Sequence, residues 1–462
     1  MRRNYTFLLL FLIGFLSFPK EFSGQVSSQE KDSSKVKDCE IVDIRDVFSD
    51  ISADMKKHKE EKSKNKGDSK KKENPKKEEK KKEKEKKKKE NKVSLLVLPT
   101  ISYNPSNGLL YGATGTGVFR LGPKKTTQMS SANARVVYTT HNQLMTYIKS
   151  NVYTKNDDYF LEGDWRFYLY KLPTYGIGTN APDTTFAPNF DFIGVDHAGG
   201  GGGYPMKYNY AIFHQIVNKK IINDLYAGLG YHLDTYWKIE DELLNLDTMP
   251  LQATPHWAYS KLHGFDSSAY TTSGISVNFM FDSRDNPMDA YKGYYFKLNY
   301  RMNPTWLGSS RNSTELFFEF KTYVGLSKKI PRHLIAFWVW GNFMTTGRLP
   351  YYSLMALGDD QKATSGRGYI AGRFRGESIL YGEVEYRFPL MRCAQTLGGV
   401  IFVNATTASN DFKGEKLFDY VRPAAGIGLR ILMNKNVRLN ITIDYAIGWN
   451  SQGVYFGSPD VF

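Results

Sequence analysis

The residues best equipped for chemistry form a glycine-framed arginine motif, Gly366-Arg367-Gly368-Tyr369, within a long glycine-rich stretch. A guanidinium is planar, permanently charged and carries five N–H donors in a fixed fork, which suits it to binding carboxylates in a confined space. Flanking glycines let the backbone approach a neighbouring wall closely. A motif of this kind is suited to a loop that lies against a wall and pairs with carboxylates; the alternative is an ordinary surface arginine in a flexible loop.

Three acidic residues are the predicted partners of this arginine. Glu383 and Glu385 lie on the polar face of the alternating segment 378–388, and Asp444 lies on the polar face of the segment 437–445. Successive side chains of a β-strand point to opposite faces, so residues two apart share a face. If both segments are strands, all three carboxylates can face a loop folded over them.

These segments belong to a larger pattern that predicts an all-β fold. The chain contains 29 Phe and 31 Tyr among 462 residues. After the N-terminus it has no run of about 18 apolar residues, the length of a membrane-spanning helix. This combination is typical of membrane β-barrels, whose strands alternate lipid-facing and lumen-facing side chains. A soluble β-sandwich also alternates, but bulky charges beside glycines on the polar faces favour a wet lumen.

We predict a 16-stranded antiparallel transmembrane β-barrel over residues 93–462, with 14 or 18 strands as alternatives. The last predicted strand is 453–462, and long outer loops are predicted at 171–204, 238–269 and 345–376. An even strand number and a closed sheet are expected, because a free sheet edge in lipid leaves backbone groups unpaired.

The N-terminal 92 residues differ in character. Residues 1–24 combine a charged start, a short apolar run and small residues, the pattern of a secretory signal peptide. In the predicted periplasmic leader 25–92, the apolar residues of 39–51 share one helical stripe. They predict a short helix that docks on a partner or plugs the barrel; the alternative is a transient helix. Residues 56–92 hold 20 Lys against 9 Asp or Glu and predict a disordered, solvated linker.

Several other function classes are disfavoured. Most of the net charge of +15 comes from the linker 56–92, which has no arginine or aromatic partners, so we expect no nucleic-acid binding. The eight histidines show no metal-ligand spacing. With no nucleophile and base in a recognisable arrangement, we expect no metal, no cofactor and no enzyme activity. The two cysteines, Cys39 and Cys393, are too few for a disulfide scaffold, and whether they pair stays open.

Taken together, the motifs resemble those of BamA/TamA-type outer-membrane barrels, the bacterial surface antigen family. The resemblance extends over about 95–462 and is carried by the entry segment 98–109, the turn segment 281–287, the arginine loop 366–369, the closing strand 426–430 and the terminal Phe462. It implies a lumen lock formed by the loop 366–369, a barrel-end signal at Phe462, and a place in the outer membrane of a Gram-negative cell.

Two departures from the family pattern bear on function. Where the family has aspartate in a Phe-x-Asp-x-Gly segment, this chain has Phe402-Val-Asn-Ala-Thr406. Asn404 is therefore a fourth predicted lock partner, but a neutral one. The leader also has no room for the folded periplasmic POTRA modules of the family's insertases, so the resemblance implies a barrel lacking them.

The expected function follows from the resemblance. The barrel would assist protein insertion into, or translocation across, the outer membrane. Its expected partners are outer-membrane lipid, client outer-membrane proteins and accessory periplasmic or outer-membrane assembly proteins. The alternative is a passive channel or structural barrel without insertase activity.

Overall fold

The computed structural model describes residues 42–46, 49, 52, 93–104, 108–140, 142–181, 196–197, 203–249, 252–361, 364–391, 395–457 and 462. The predicted signal peptide, the linker 56–92 and both cysteines lie outside these residues. The predicted domain boundaries at residues 24 and 92 therefore stay predictions.

Sixteen strands form one antiparallel sheet, which confirms the predicted transmembrane β-barrel. We number them β1 to β16 in chain order. The first eight are Ser94–Asn104, Gly108–Phe119, Ser130–Thr139, Leu144–Tyr153, Tyr159–Lys171, Met206–Ile222, Leu225–Asp241 and Ala269–Asp282. The second eight are Gly293–Asn303, Ser313–Gly325, Leu334–Gly347, Ser378–Pro389, Leu397–Ala408, Arg422–Asn434, Leu439–Gly448 and Ser451–Gly457.

The order of the strands in the sheet is their order in the chain. Each of β2 to β15 pairs with the strand before it and the strand after it. Among the residues that the structure describes, no backbone ladder joins β16 to β1. The boundary between the last and the first strand of the sheet is called the seam below. A separate pair of two-residue strands, Asp196–His197 and Gln252–Ala253, lies in the loops.

The side-chain alternation runs opposite to that of a soluble protein. In β12, Val384 and Tyr386 are 43% and 38% exposed on the outer face, whereas Glu383 and Glu385 are 2% and 0% exposed inside. This arrangement fits a wall that meets lipid on its outside and keeps its charges in the lumen. The polar residues predicted to share a lumen face do so.

The connections divide the barrel into two ends. One end, the turn end, carries short connections such as 223–224 and 435–438. The other, the loop end, carries the three long connections 172–205, 242–268 and 348–377. The three predicted long loops therefore emerge at one end, as expected.

Two predicted strand boundaries are wrong. The sequence predicts the sixth and seventh strands at 205–217 and 222–237, whereas the turn between them lies at 223–224, because Lys219 and Lys220 continue the extended backbone of β6. The last strand, β16, ends at Gly457 rather than at residue 462.

A helix, α1, lies in a segment where only loop was predicted. It runs over Pro255–His263, with the Thr254 hydroxyl accepting from the Trp257 N–H at its start and Gly264 in the left-handed conformation (φ 69°) at its end. These are ordinary helix start and stop signals. No helix in the described part of the chain has the length and apolar character needed to cross a membrane.

Aromatic side chains fill the lumen near the loop end. Their rings come from barrel strands, from α1 and from the loop 348–377: Tyr208, Tyr236, Tyr270, Tyr259, Tyr351 and Tyr352. A second cluster of buried side chains includes Trp338, Trp340, Tyr369, Phe374 and Phe462. The two clusters hold the loop 348–377 inside the barrel.

Candidate functional site

The loop 348–377, called the crossing loop below, carries the predicted arginine motif into the lumen. It leaves β11 and returns to β12, and between these points it contacts both sides of the barrel. Arg375 organises its base by donating from Nη1 to the carbonyl oxygens of Tyr351, Tyr352 and Leu354. Arg373 ties it to the neighbouring long loop by donating to the Ala181 carbonyl at 2.8 Å.

The glycines on either side of Arg367 have the backbone freedom that the sequence predicted. Gly366 and Gly368 adopt positive φ angles of 82° and 104°, a region that other residues rarely enter. A Cβ on Gly368 would lie 2.7 Å from the Cβ of Ala424 in β14, so a side chain there would push the loop off the wall. The tip thus needs glycine for close approach as well as for its turn.

Arg367 meets three carboxylates. Its Nη1 donates to Asp444 at 2.7 Å, and its Nη2 donates to Glu383 at 2.6 Å and to Glu385. The side chain is 2% exposed, and its guanidinium lies over the Phe402 ring, 3.5 Å from the centroid. The structure therefore brings together the arginine and all three acidic residues predicted as its partners.

The cluster extends beyond Arg367 to two wall arginines. Arg430 pairs with Asp444 at 2.5 Å, and Arg387 pairs with Glu385 at 2.6 Å and with Asp289 at 3.3 Å. Three guanidinium groups thus face four carboxylates: Glu383, Glu385, Asp444 and Asp289. Burying a charge is costly unless the charge is paired, and each charged group of this network has at least one partner of opposite charge.

Asn404 also lies at the site, but it acts as a donor. Its Nδ2 donates to the Arg367 carbonyl oxygen at 2.9 Å and to Glu383 at 3.5 Å. A neutral amide suits this position because the guanidinium already has three carboxylates. The carboxylates at the guanidinium come instead from Glu383, Glu385 and Asp444.

Tyr369 ties the loop tip to the last strands. Its hydroxyl donates to the Pro423 carbonyl at 2.6 Å and accepts from the Trp449 N–H at 3.0 Å. Tyr455 of β16 accepts from the Gly368 N–H at 2.8 Å and donates to the Tyr369 carbonyl at 3.1 Å. The tip therefore holds β16 from inside, next to the seam.

The opposite wall holds the crossing loop at a second point. Lys149 of β4 donates from Nζ to the Gln361 carbonyl at 2.6 Å, and the Gln361 and Asn151 carboxamides exchange longer hydrogen bonds. Arg166 of β5 donates to the Asp359 carbonyl at 3.4 Å. The crossing loop is therefore attached to β12 and β15 on one side and to β4 and β5 on the other, and it spans the lumen. The attachment through Arg367 is called the arginine hold, and the attachment through Lys149 and Arg166 is called the opposite, or weaker, hold.

Phe462 lies inside the barrel. Its ring is 5.2 Å from the Trp338 ring, centroid to centroid, and Arg387 donates to its backbone oxygen at 3.3 Å. The C-terminal residue thus contacts the same arginine that pairs with Glu385. Its predicted role as a barrel-end signal stays a prediction.

Two sets of contacts at the site are not among those predicted from the sequence. Tyr455 could have been found, because it alternates with the outward-facing Val454 and Phe456. Lys149 and Gln361 could not, because nothing in either segment signals that they meet. In the described part of the chain, no group of three or more His, Cys, Asp or Glu side chains is arranged to hold a metal ion.

The fold and the lumen network define a β-barrel of the outer-membrane type. A model of the Omp85 superfamily domain matches residues 212–457, more than half of the chain. The chain belongs to the Omp85 superfamily, a family of bacterial outer-membrane proteins that serve protein insertion or translocation.

Two solved structures are similar to this chain at low sequence identity. BamA from Haemophilus ducreyi lacking POTRA domains 1–3 is 14% identical with a TM-score of 0.46; the match covers 80% of this chain and 69% of that one. CdiB from Acinetobacter baumannii is 12% identical with a TM-score of 0.44, over 80% and 65% of the two chains. No curated protein matches the sequence.

Proposed function

We propose that this barrel assists the insertion of proteins into, or their translocation across, the bacterial outer membrane. Membership of the Omp85 superfamily supports this class of activity. Its partners would be outer-membrane lipid, client barrel proteins and accessory assembly proteins.

The observation that carries the proposal is the seam. β16 has 7 residues against 11 in β1, and no ladder between them is present in the described residues. Elsewhere, neighbouring strands are joined by ladders of at least seven residue pairs, such as the ten pairs between β14 and β15. Unpaired backbone groups of a strand edge accept another strand readily. A barrel wall whose strands are unpaired at the seam supports an exchange of strands with a client protein at the seam.

The position of the crossing loop also favours a route for client proteins through the barrel wall over a route through the lumen. The loop is held on both walls by buried contacts, so a solute path along the barrel axis meets a fixed obstacle. A passive channel, the alternative function, would need this loop to leave.

Depletion tests the proposal. When the chain is depleted from its own cells, the amount of other folded outer-membrane barrels should fall, as measured by heat-shift gels of the outer membrane. Normal assembly of those proteins in depleted cells would overturn the insertion and translocation role and leave the channel reading.

Cross-linking the seam provides a second test. Cysteine pairs placed between 94–100 and 451–457 should abolish activity when oxidised and restore it when reduced. The matched control is Ile427→Cys with Tyr445→Cys, which are directly paired and exposed on β14 and β15. Cross-linking that already zipped pair should leave activity unchanged.

A further inference from the structure

Part of the leader lies against the turn end of the barrel, next to β1. Ile44, Arg45 and Asp46 are helical, and the Asp43 carboxylate caps them by accepting from the Arg45 and Asp46 N–H groups at 3.0 and 3.2 Å. Asp46 reaches back and accepts from the Asp43 N–H at 3.1 Å. This reciprocal arrangement is a capping box, which fixes a helix start.

Three segments of the rim, which is the edge of the barrel at the turn end, bind the helical turn at residues 43–46. Thr396, before β13, donates to the Val42 carbonyl at 2.6 Å. In the connection between β14 and β15, the Lys435 N–H donates to the Asp43 carboxylate at 2.8 Å, and its ammonium pairs with Asp46 at 2.9 Å. At the end of β14, Asn434 accepts from Arg45 at 2.8 Å.

The buried contacts of Asp43 contribute more to the stability of this attachment than the exposed ion pair between Asp46 and Lys435 does. Asp46 and Lys435 have side chains 40% and 30% exposed, and an ion pair of that kind contributes little. Asp43 is 0% exposed, so its loss would leave the Lys435 N–H and the helix start without their acceptor. Asp43 is therefore the residue on which the contact depends.

Asn434 links this turn to the first strand. Its carboxamide oxygen accepts from Arg45, and its Nδ2 donates to the Ser94 hydroxyl at 2.8 Å. Ser94 is the first residue of β1. The two ends of the intervening segment, which contains the lysine-rich linker 56–92, therefore meet at one side chain.

We propose that Asp43-Ile44-Arg45-Asp46 is a docking clip for the turn-end rim beside the seam, and that it makes the lysine-rich linker a loop closed at both ends. The proposal is independent of whether the barrel inserts proteins.

The two cysteines of the chain allow a direct test. They lie outside the described residues, but in the sequence Cys39 and Cys393 each stand three residues before one partner of the bond between Val42 and Thr396. Copper phenanthroline with dissolved oxygen would oxidise the purified full chain: two thiols lose two protons and two electrons to this oxidant and form one S–S bond. An endoproteinase that cuts after lysine then frees the peptide 38–56, which has no internal lysine.

The expected result is that peptide 38–56 stays attached to the barrel until a reductant is added. In Asp43→Ala the rate of cross-linking should fall about fivefold, the typical effect of removing a capping carboxylate. A heat-shift gel checks that this variant is still a folded barrel.

The matched control moves the second thiol to the opposite side of the rim. Cys393→Ser with Asn223→Cys places it in the exposed turn between β6 and β7, away from β14 and β15. Little attachment is expected there. Equal rates in Asp43→Ala and the unmodified chain, or equal rates at positions 223 and 393, would overturn the clip.

Discussion

The crossing loop meets the two walls of the barrel through different chemistry. On β12 and β15 the contact is between charged side chains, with Arg367 against Glu383, Glu385 and Asp444. On β4 and β5 the wall side chains instead reach the backbone of the loop, as Lys149 does at the Gln361 carbonyl. The first hold depends on the identity of residues on both sides, whereas the second depends mainly on where the loop backbone lies.

This difference predicts unequal costs when each hold is broken. Removing one partner of a buried charge network leaves the others uncompensated, at about 3–5 kcal/mol. Removing a charged donor from a carbonyl costs about 1.5–3 kcal/mol at most, because a carbonyl can be satisfied by water. The arginine hold should therefore dominate stability, and the opposite hold should mainly set how tightly the loop spans the lumen.

Arg367→Met should have the largest effect. Three buried carboxylates lose their shared partner, so the barrel should lose about 3–5 kcal/mol of stability. The measurement is the temperature at which the folded band disappears on a gel, together with the urea midpoint. Lys328→Met, at an exposed loop lysine, is the control and should change neither. An unchanged heat shift in Arg367→Met would mean that the loop is not a lock.

Asn404→Asp should also destabilise the barrel, although it restores the residue of the family pattern. The aspartate cannot donate to the Arg367 carbonyl or to Glu383, and it adds a fifth carboxylate to a cluster with three arginines. We expect a loss of about 2–3 kcal/mol, seen in the urea midpoint. Asn404→Leu removes the donor without adding charge and should cost less. A more stable Asn404→Asp barrel would contradict this account.

Lys149→Met tests the weaker hold. It removes the donor to the Gln361 carbonyl while keeping a long side chain in the lumen, so we expect a loss of about 1–2 kcal/mol. Limited proteolysis of the crossing loop should become faster even where the heat shift is retained. If Lys149→Met costs as much as Arg367→Met, the two holds are equivalent and the comparison fails.

The sequence predicted one hold and not the other for a physical reason. Period-two alternation places Glu383, Glu385 and Asp444 on the lumen face, and glycine on both sides of Arg367 indicates close approach to a wall. These signals are local, so they can be read without a structure. The partnership of Lys149 with the Gln361 backbone has no residue-type signal, because any residue supplies a carbonyl.

The difference between local signals and missing signals also explains the errors in the predicted fold. Strand number and order follow from alternation and were predicted correctly. The sixth strand is predicted to end at residue 217, but the charged Lys219 and Lys220 continue the extended backbone of β6 as far as Ile222. The helix α1 lies inside the predicted loop 238–269, and the length of that loop alone does not indicate a helix.

Asp359→Asn should give the smallest effect and a pH signature for the weaker hold. Burial raises the pKa of the Asp359 carboxyl above its usual value of 3.8, against the opposing influence of Arg375 and Arg166. The folded barrel therefore binds this proton more tightly than the unfolded chain does. The resulting stabilisation is complete below pH 3.8 and is lost as the pH rises through the higher folded pKa.

Above that range the ionised Asp359 destabilises the fold, so Asp359→Asn should unfold at a higher temperature than the unmodified chain at pH 8. The difference should shrink as the pH falls toward 4. Thermal unfolding at several pH values measures it, with Asp419→Asn, an exposed loop aspartate, as the control. Parallel pH profiles for the Asp359 variant and the unmodified chain would show that this carboxyl stays ionised without cost. The weaker hold would then be electrostatically as well matched as the Arg367 network.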